Sequence, residues 1–507
     1  MEEHEYCSET ETPLLPSRVV NVGSNNLQIK LIETRSERDS YVCLSHCWGS
    51  QQIITTTTAT LNDRKSGIAH DALSSTFQNA IELTRRLGHK YIWIDSLCIV
   101  QDSKQDWAIE SAKMASIYAN STLTIAATSS ADGAGGLYRP TPDFELSGTT
   151  PHGEPFTLFF RKAIAHSLMH DSDLDAELPL LSRAWVFQER LLSPRVLHFG
   201  PQEVFFECRS AAMCECDGIT GYEIALPTPK IHHAQAYMSS SDGADAYFRA
   251  RCWRSLVAQY ASLRLTYGSD RLPAFGGLAK HARQQRQCEY YAGLWEDSLV
   301  DDLCWIAGGQ GRRPVRWRAP SWSWAAVDHS IYYHDAFLFW DSGDINHEQE
   351  PRICLGEVEH CVCVPAIADV YGELRSGMLR LSGPCVDGLL VYGEDVDLSG
   401  AHLISRGKRW TATRYIVRLE RGDTFEIEAD YALEQKETGH VPSGTRCCCV
   451  LLIEQLQARP RFIGLVLKPD GSAGGSFERF GLLKTDIDLR SLQPDGWLED
   501  RRSVFIV

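Results

Sequence analysis

The stretch YVCLSHCWGS, residues 41–50, begins as an apolar β-strand and ends in His46, Cys47, Trp48 and Gly49. Polar and aromatic side chains at a strand end are costly to bury and useful to expose. In an open α/β sheet the functional crevice lies beyond the carboxyl ends of the strands. The placement therefore predicts that Ser45, His46, Trp48 and Gly49 line a pocket wall, with Gly49 letting the chain turn away. Cys47 and His46 make a poor nucleophilic pair, because neighbours on a strand point to opposite faces.

Working outward, YIWIDSLCIV (91–100) is a nearly all-apolar run of the kind covered on both faces. Asp95, Ser96 and Cys98 lie toward its carboxyl end. STFQNAIELTRRLGH (75–89) places Phe77, Ala80, Ile81, Thr84 and Leu87 on one helical face, with Ser74 or Ser75 to cap it and Gly88 to end it. SKQDWAIESAKMASIYAN (103–120) reads as one helix packed on a sheet through Ala108, Ala112, Ala115 and Ala119. STLTIAATSS (121–130) is a further strand. The alternation β-α-β-α-β predicts an α/β fold, a parallel sheet with flanking helices.

The rest of the chain divides by texture. Residues 1–25 read as a loose leader. NLQIKLIET (26–34) is an edge-type strand, with Leu27, Ile29 and Leu31 inward. SRAWVFQERLLS (182–193) has helical spacing, and two strands, RVLHFG and EVFFECR, follow it. The α/β domain is expected over 26–210, a helical region over 211–330, and a β-rich C-terminal module over 331–507. YYAGLWEDSLVDDLCWIA (290–307) is read as a helix in the middle part.

Composition narrows the function classes. The 507 residues carry 50 basic and 66 acidic side chains, a formal charge of −16, which argues against nucleic acid or an anionic membrane as partner. The acidic start, MEEHEYCSETETPLLPSR, has no apolar core and reads as neither secretory signal nor transit peptide. The 17 irregularly spaced cysteines read as reduced thiols, so the expected location is cytoplasmic. Metal ligation is not expected. Cys208, Cys214 and Cys216 cluster without a second pair at zinc-ribbon spacing, and His166 and His170 lack a zincin glutamate.

Three blocks carry a resemblance to a known family: YVCLSHCWG, YIWIDSLCIVQDSKQDWAIESAKMASIYANSTLTIAAT and RAWVFQERLLSPRVLHF. Together and in this order they resemble the heterokaryon incompatibility (HET) domain of filamentous fungi. DRLPAFGGLA, YYAGLW and APSWSWAAVD look like the region that commonly accompanies it. The resemblance implies non-self recognition leading to growth arrest or programmed cell death. It also implies a distant similarity to Toll/interleukin-1 receptor (TIR) domains, and hence a TIR/flavodoxin-like sheet. Some TIR domains cleave NAD at the nicotinamide–ribose bond, using a glutamate four residues after a tryptophan. Here Trp185 and Glu189 have that spacing, which puts both on one helix face. Glu189 is thus the candidate catalytic residue. Glu110, three residues after Trp107, is its rival. Ser45, His46, Trp48, Gly49, Asp95 and Trp185 are the candidate substrate contacts. NAD enters as substrate, with no cofactor expected. The alternative is a non-catalytic signalling module that acts through protein partners, by self-assembly or by binding an incompatibility partner.

Overall fold

The computed structural model describes residues 4, 6–7, 12–23, 28–49, 53–140, 144–160, 177–216, 229–238, 246–308, 311–333, 351–392, 396–397, 411–412, 414–419, 424–435, 439–456, 461–472, 474–485, 498 and 501–507. The chain forms two compact units, Met1–Ser241 and Asp242–Val507. Leu27, His166 and His170 lie outside the described residues.

The first unit is built on an eight-stranded sheet. Its strands are β1 (Arg18–Asn21), β2 (Lys30–Glu33), β3 (Val42–Ser45), β4 (Tyr91–Trp93), β5 (Leu123–Ala126), β8 (Arg195–Phe199), β9 (Val204–Cys208) and β10 (Ala212–Cys214). The spatial order is β10-β9-β8-β5-β3-β4-β1-β2. The four inner strands β8, β5, β3 and β4 run parallel, as the β-α-β-α-β alternation predicts. Antiparallel pairs close both flanks: β1 and β2 beside β4, and β9 and β10 beside β8. From β3 the chain steps to β4 on one side, then crosses back to β5 on the other. The order therefore reverses at β3, with Ser45 opposite Ala126 in register. Such a reversal opens a crevice beyond the carboxyl ends of the two strands.

Helices cover both faces because side chains of β3 alternate. On one face Tyr41 donates its hydroxyl to Ile117 O (2.7 Å) in helix α5 (Met114–Ala119), and Ser45 reaches helix α6 (Ala184–Leu192). On the other, the His46 ring meets Phe77 of helix α2 (Ser75–Arg86) edge-on at 4.9 Å. Helix α2 forms as its spacing predicts. Ser74 accepts from Phe77 N, and Phe77, Ala80, Ile81 and Thr84 are buried, while Leu87, just past the helix end, is exposed.

Several local expectations are corrected. The leader read over 1–25 contributes β1, an inner strand whose Val19 and Val20 are fully buried. The single helix read over 103–120 is two, α4 (Lys104–Ser111) and α5, and its alanine face is not the buried one. Ala108 and Ala112 face solvent, and Met114, Ile117 and Tyr118 enter the core instead. Larger apolar groups gain more from burial than alanine does, so they set the helix rotation. Strand β4 ends at Trp93, and Asp95 already starts a helical turn, α3 (Asp95–Cys98). An outlying hairpin of β6 (Phe144–Thr149) and β7 (Pro155–Phe160) exposes Phe144, Leu146, Leu158, Phe159 and Phe160.

The second unit has two longer helices, Ala246–Ala261 and Pro273–Arg286, and a nine-stranded sheet that includes the 19-residue strand Leu374–Tyr392. Trp253, Trp295, Trp305, Trp322 and Trp324 are fully buried in it. The helix read over 290–307 is instead a hairpin, Tyr290–Tyr291 with Leu294–Trp295, followed by a 3-10 turn, Glu296–Ser298, and a short α turn, Leu299–Asp302. Ala292 and Gly293 both have positive φ, 50° and 98°, the backbone of a tight two-residue hairpin turn. No helix among the described residues is long and apolar enough to cross a membrane.

Candidate functional site

Strand β3 ends at Ser45, at the reversal of strand order, and helix α6 delivers Glu189 to it from 144 residues further on. Ser45 Oγ donates to Glu189 Oε2 at 2.5 Å, with both side chains buried. Burial pushes the Glu189 carboxyl up to about 7. Hydrogen bonds from Ser45 and Tyr118 and the positive charge of Arg183 oppose the rise, and the negative charge of Asp95 adds to it. A carboxyl poised near neutral pH in a recessed position is a recurrent feature of acid–base and charge-stabilising sites.

The second group of candidates sits beside the first. Trp48 Nε1 donates to Asp95 Oδ2 at 2.8 Å, and His46 Nδ1 lies 3.7 Å from Asp95 Oδ1. Helical turn α3 fixes the Asp95 carboxylate, which accepts Ser96 N at 2.7 Å. Burial pushes the His46 imidazole below its ordinary value; Asp95 partly counters this and Arg183 reinforces it. Its Nε2 is buried and finds no hydrogen-bond partner among the described residues. Arg183 joins the two groups: its Nη1 donates to His46 O at 2.9 Å, and its charge acts on Glu189 as well as on His46.

Gly49 does what a turning residue must. Its φ is +70°, and a Cβ there would stand 2.3 Å from Asp132 Cβ, so neither the conformation nor the space admits a side chain. Trp48 and Trp185 are partly buried and pack against the same core cluster. Cys47 points away from His46 into a separate apolar cluster with Ala126, Leu180, Val186 and Val196, and its thiol is pushed up by burial. A Cys–His pair is therefore absent here, as strand alternation requires.

The rival acid lies elsewhere. Glu110 is buried on α4, where Lys113 Nζ donates to its Oε1 at 2.9 Å, and Trp107 is largely exposed. None of the three arginines near Glu189 in sequence holds its carboxylate by a direct bond: Arg190 pairs with Glu207 at 2.6 Å, Arg195 donates to backbone oxygens of Cys7 and Thr122, and Arg183 takes His46 O. Sequence reasoning missed Tyr118, Arg183 and Asp132 as parts of the cluster. Tyr118 reads as one more apolar residue of an amphipathic stripe, and only its buried hydroxyl, which must find acceptors, hints at more. A shallow groove of about 630 Å³ along β2, lined by Lys30, Glu33, Arg35 and Lys65, shares no residue with this site.

Comparison with known proteins gives one family. Residues 41–189 match the model described as "Heterokaryon incompatibility protein (HET)", a span that runs from the residue before β3 to Glu189 itself. No curated protein and no solved structure matches the chain.

Proposed function

Since residues 41–189 are a heterokaryon incompatibility domain, we propose that the chain acts in fungal non-self recognition and that its crevice cleaves NAD at the nicotinamide–ribose bond. The observation that carries the reading is the Ser45–Glu189 contact at the strand-order reversal. The parallel order β4-β3-β5-β8 is also the order of a TIR/flavodoxin-like sheet, which binds its ligand at this same reversal.

The chemistry follows from charge. The ribose C1′–nitrogen bond breaks, its electron pair leaves with nicotinamide, and positive charge develops on the ribose ring. The Glu189 carboxylate stabilises that charge and accepts from a ribose hydroxyl in place of Ser45. Water then adds at C1′ and loses its proton, giving ADP-ribose. Trp48, held by Asp95, and Trp185 offer faces to the departing ring.

The test is nicotinamide release from NAD by the purified chain at high concentration, followed by chromatography. Release should fall at least ~100-fold in Glu189→Gln, as for loss of a charge-stabilising group, and stay unchanged in Glu110→Gln. It should rise as pH climbs through about 7, where Glu189 ionises. Release that survives Glu189→Gln in a folded protein removes the assignment.

A second reading rests on a different observation. One face of the β6–β7 hairpin presents Phe144, Leu146, Leu158 and Phe160 together, all exposed, which suits a surface that binds protein partners. Under that reading the domain signals by assembly, and Glu189 is a buried strut. Absence of nicotinamide release, with self-association abolished by Phe160→Ser, would favour it.

A further inference from the structure

The turn His4–Cys7 lies against the end of β9, two hundred residues away in sequence. Cys7 N donates to His4 O at 3.0 Å, so the two side chains of this His-x-x-Cys turn emerge together. Arg195 Nη2 fixes the turn through Cys7 O (2.6 Å), and Arg209 Nη1 through Tyr6 O (3.3 Å). His4 Nδ1 then stands 3.4 Å from Cys208 Sγ, and the three donor atoms of His4, Cys7 and Cys208 all lie within 4.8 Å of one another. Both sulfurs are buried, and the imidazole is half-buried.

We propose that His4, Cys7 and Cys208 bind a zinc ion that pins the N-terminal turn to the end of β9. The spacing fits the ion. Tetrahedral zinc, with Zn–S about 2.3 Å and Zn–N about 2.05 Å, holds sulfur and nitrogen roughly 3.6 Å apart and two sulfurs roughly 3.8 Å apart. Binding displaces two thiol protons to solvent, and the two thiolates neutralise the charge of Zn²⁺. Imidazole with two thiolates is a donor set that suits zinc over calcium or magnesium. Around the ligands, Ser210 N donates to Cys208 Sγ at 3.4 Å, and Ser210 Oγ lies 3.9 Å from Cys7 Sγ. Three protein ligands leave the fourth tetrahedral position to solvent. Cys208 had invited grouping with Cys214 and Cys216, but those two form a separate set with Glu203, in which Cys216 is exposed and its N–H already holds the Glu203 carboxylate at 3.1 Å.

The experiment is metal analysis of the full chain, purified under reducing conditions, loaded with Zn²⁺ alone and dialysed. One zinc per chain is expected, and Co²⁺ in its place should give thiolate-to-cobalt charge-transfer absorption. Cys7→Ser and His4→Ala, both in the peripheral turn, should each weaken zinc affinity roughly tenfold or more, since a lost ligand costs at least as much as a lost outer-shell partner. Cys216→Ser should leave it unchanged. Undiminished affinity in both turn variants, loss only in Cys216→Ser, no zinc or cobalt bound by the parent chain, or a Cys7–Cys208 disulfide in the reduced preparation would each overturn the proposal.

Discussion

A carboxyl held near neutrality by burial, as Glu189 is, works against folding once it ionises. Its folded value of about 7 stands above the ordinary 4.5, so the native state binds more protons between those limits. Stability from this group is therefore full below pH 4.5, falls as pH rises toward 7, and is lowest above it. Glu189→Gln removes the charge and is expected to raise stability at pH 8 by on the order of 1–3 kcal/mol while changing little at pH 4.5. Denaturant melts at the two pH values check this. Gly49→Ala should act the other way, costing about 1–2 kcal/mol or more from its left-handed backbone, before the close contact with Asp132 is counted. Gly49 was legible from the sequence as a turning residue, because a glycine at the end of an apolar strand has few other reasons to be there, whereas Glu189 was singled out only by its spacing from Trp185 and the resemblance that gives this spacing meaning. Tyr118 and Arg183 were not legible, since their roles depend on which atoms they meet across distant segments.

At the scale of elements, legibility followed the strength of the periodic signal. Helix α2 could be read because its cap, apolar stripe and terminal glycine agree, and Ser74→Ala is expected to cost about 0.5–2 kcal/mol by thermal melt. Strands β3 and β5 were equally plain, as continuous apolar runs bounded by turns. Strand β1 was not, because two valines between Arg18 and Asn21 carry too little pattern, and its place beside β4 is set by pairing 70 residues away. The Ala face of 103–120 misled for a related reason. A stripe of small residues shows where close packing is allowed, not where burial is most favourable. At 290–295 the Ala292-Gly293 pair was the overlooked signal, a turn inside an aromatic run that otherwise has helical spacing.

Across the whole molecule, the stretch that matches the HET family model, residues 41–189, falls within the first unit, and the β-rich unit has its own core and its own buried charge. Arg479 there meets Asp430 through two bonds of 3.0 and 3.1 Å, caps Leu303 O and Trp305 O, and lies 3.5 Å above the Trp305 ring. Arg479→Leu strands Asp430 without its cation and should cost about 3–5 kcal/mol, read as a lower melting point of residues 242–507. That this part would be strand-rich was visible in its alternating apolar runs; the single long strand from Leu374 to Tyr392 was not, since Gly383-Pro384 and Gly388 look like breaks. The Ser45–Glu189 contact spans 144 residues, so it also bears on biosynthesis. While the ribosome is still making the middle of the domain, β3 and its crevice lack their acid. The newborn polypeptide thus leaves Ser45 without its carboxyl partner until α6 emerges, so this contact closes only late in translation of the domain.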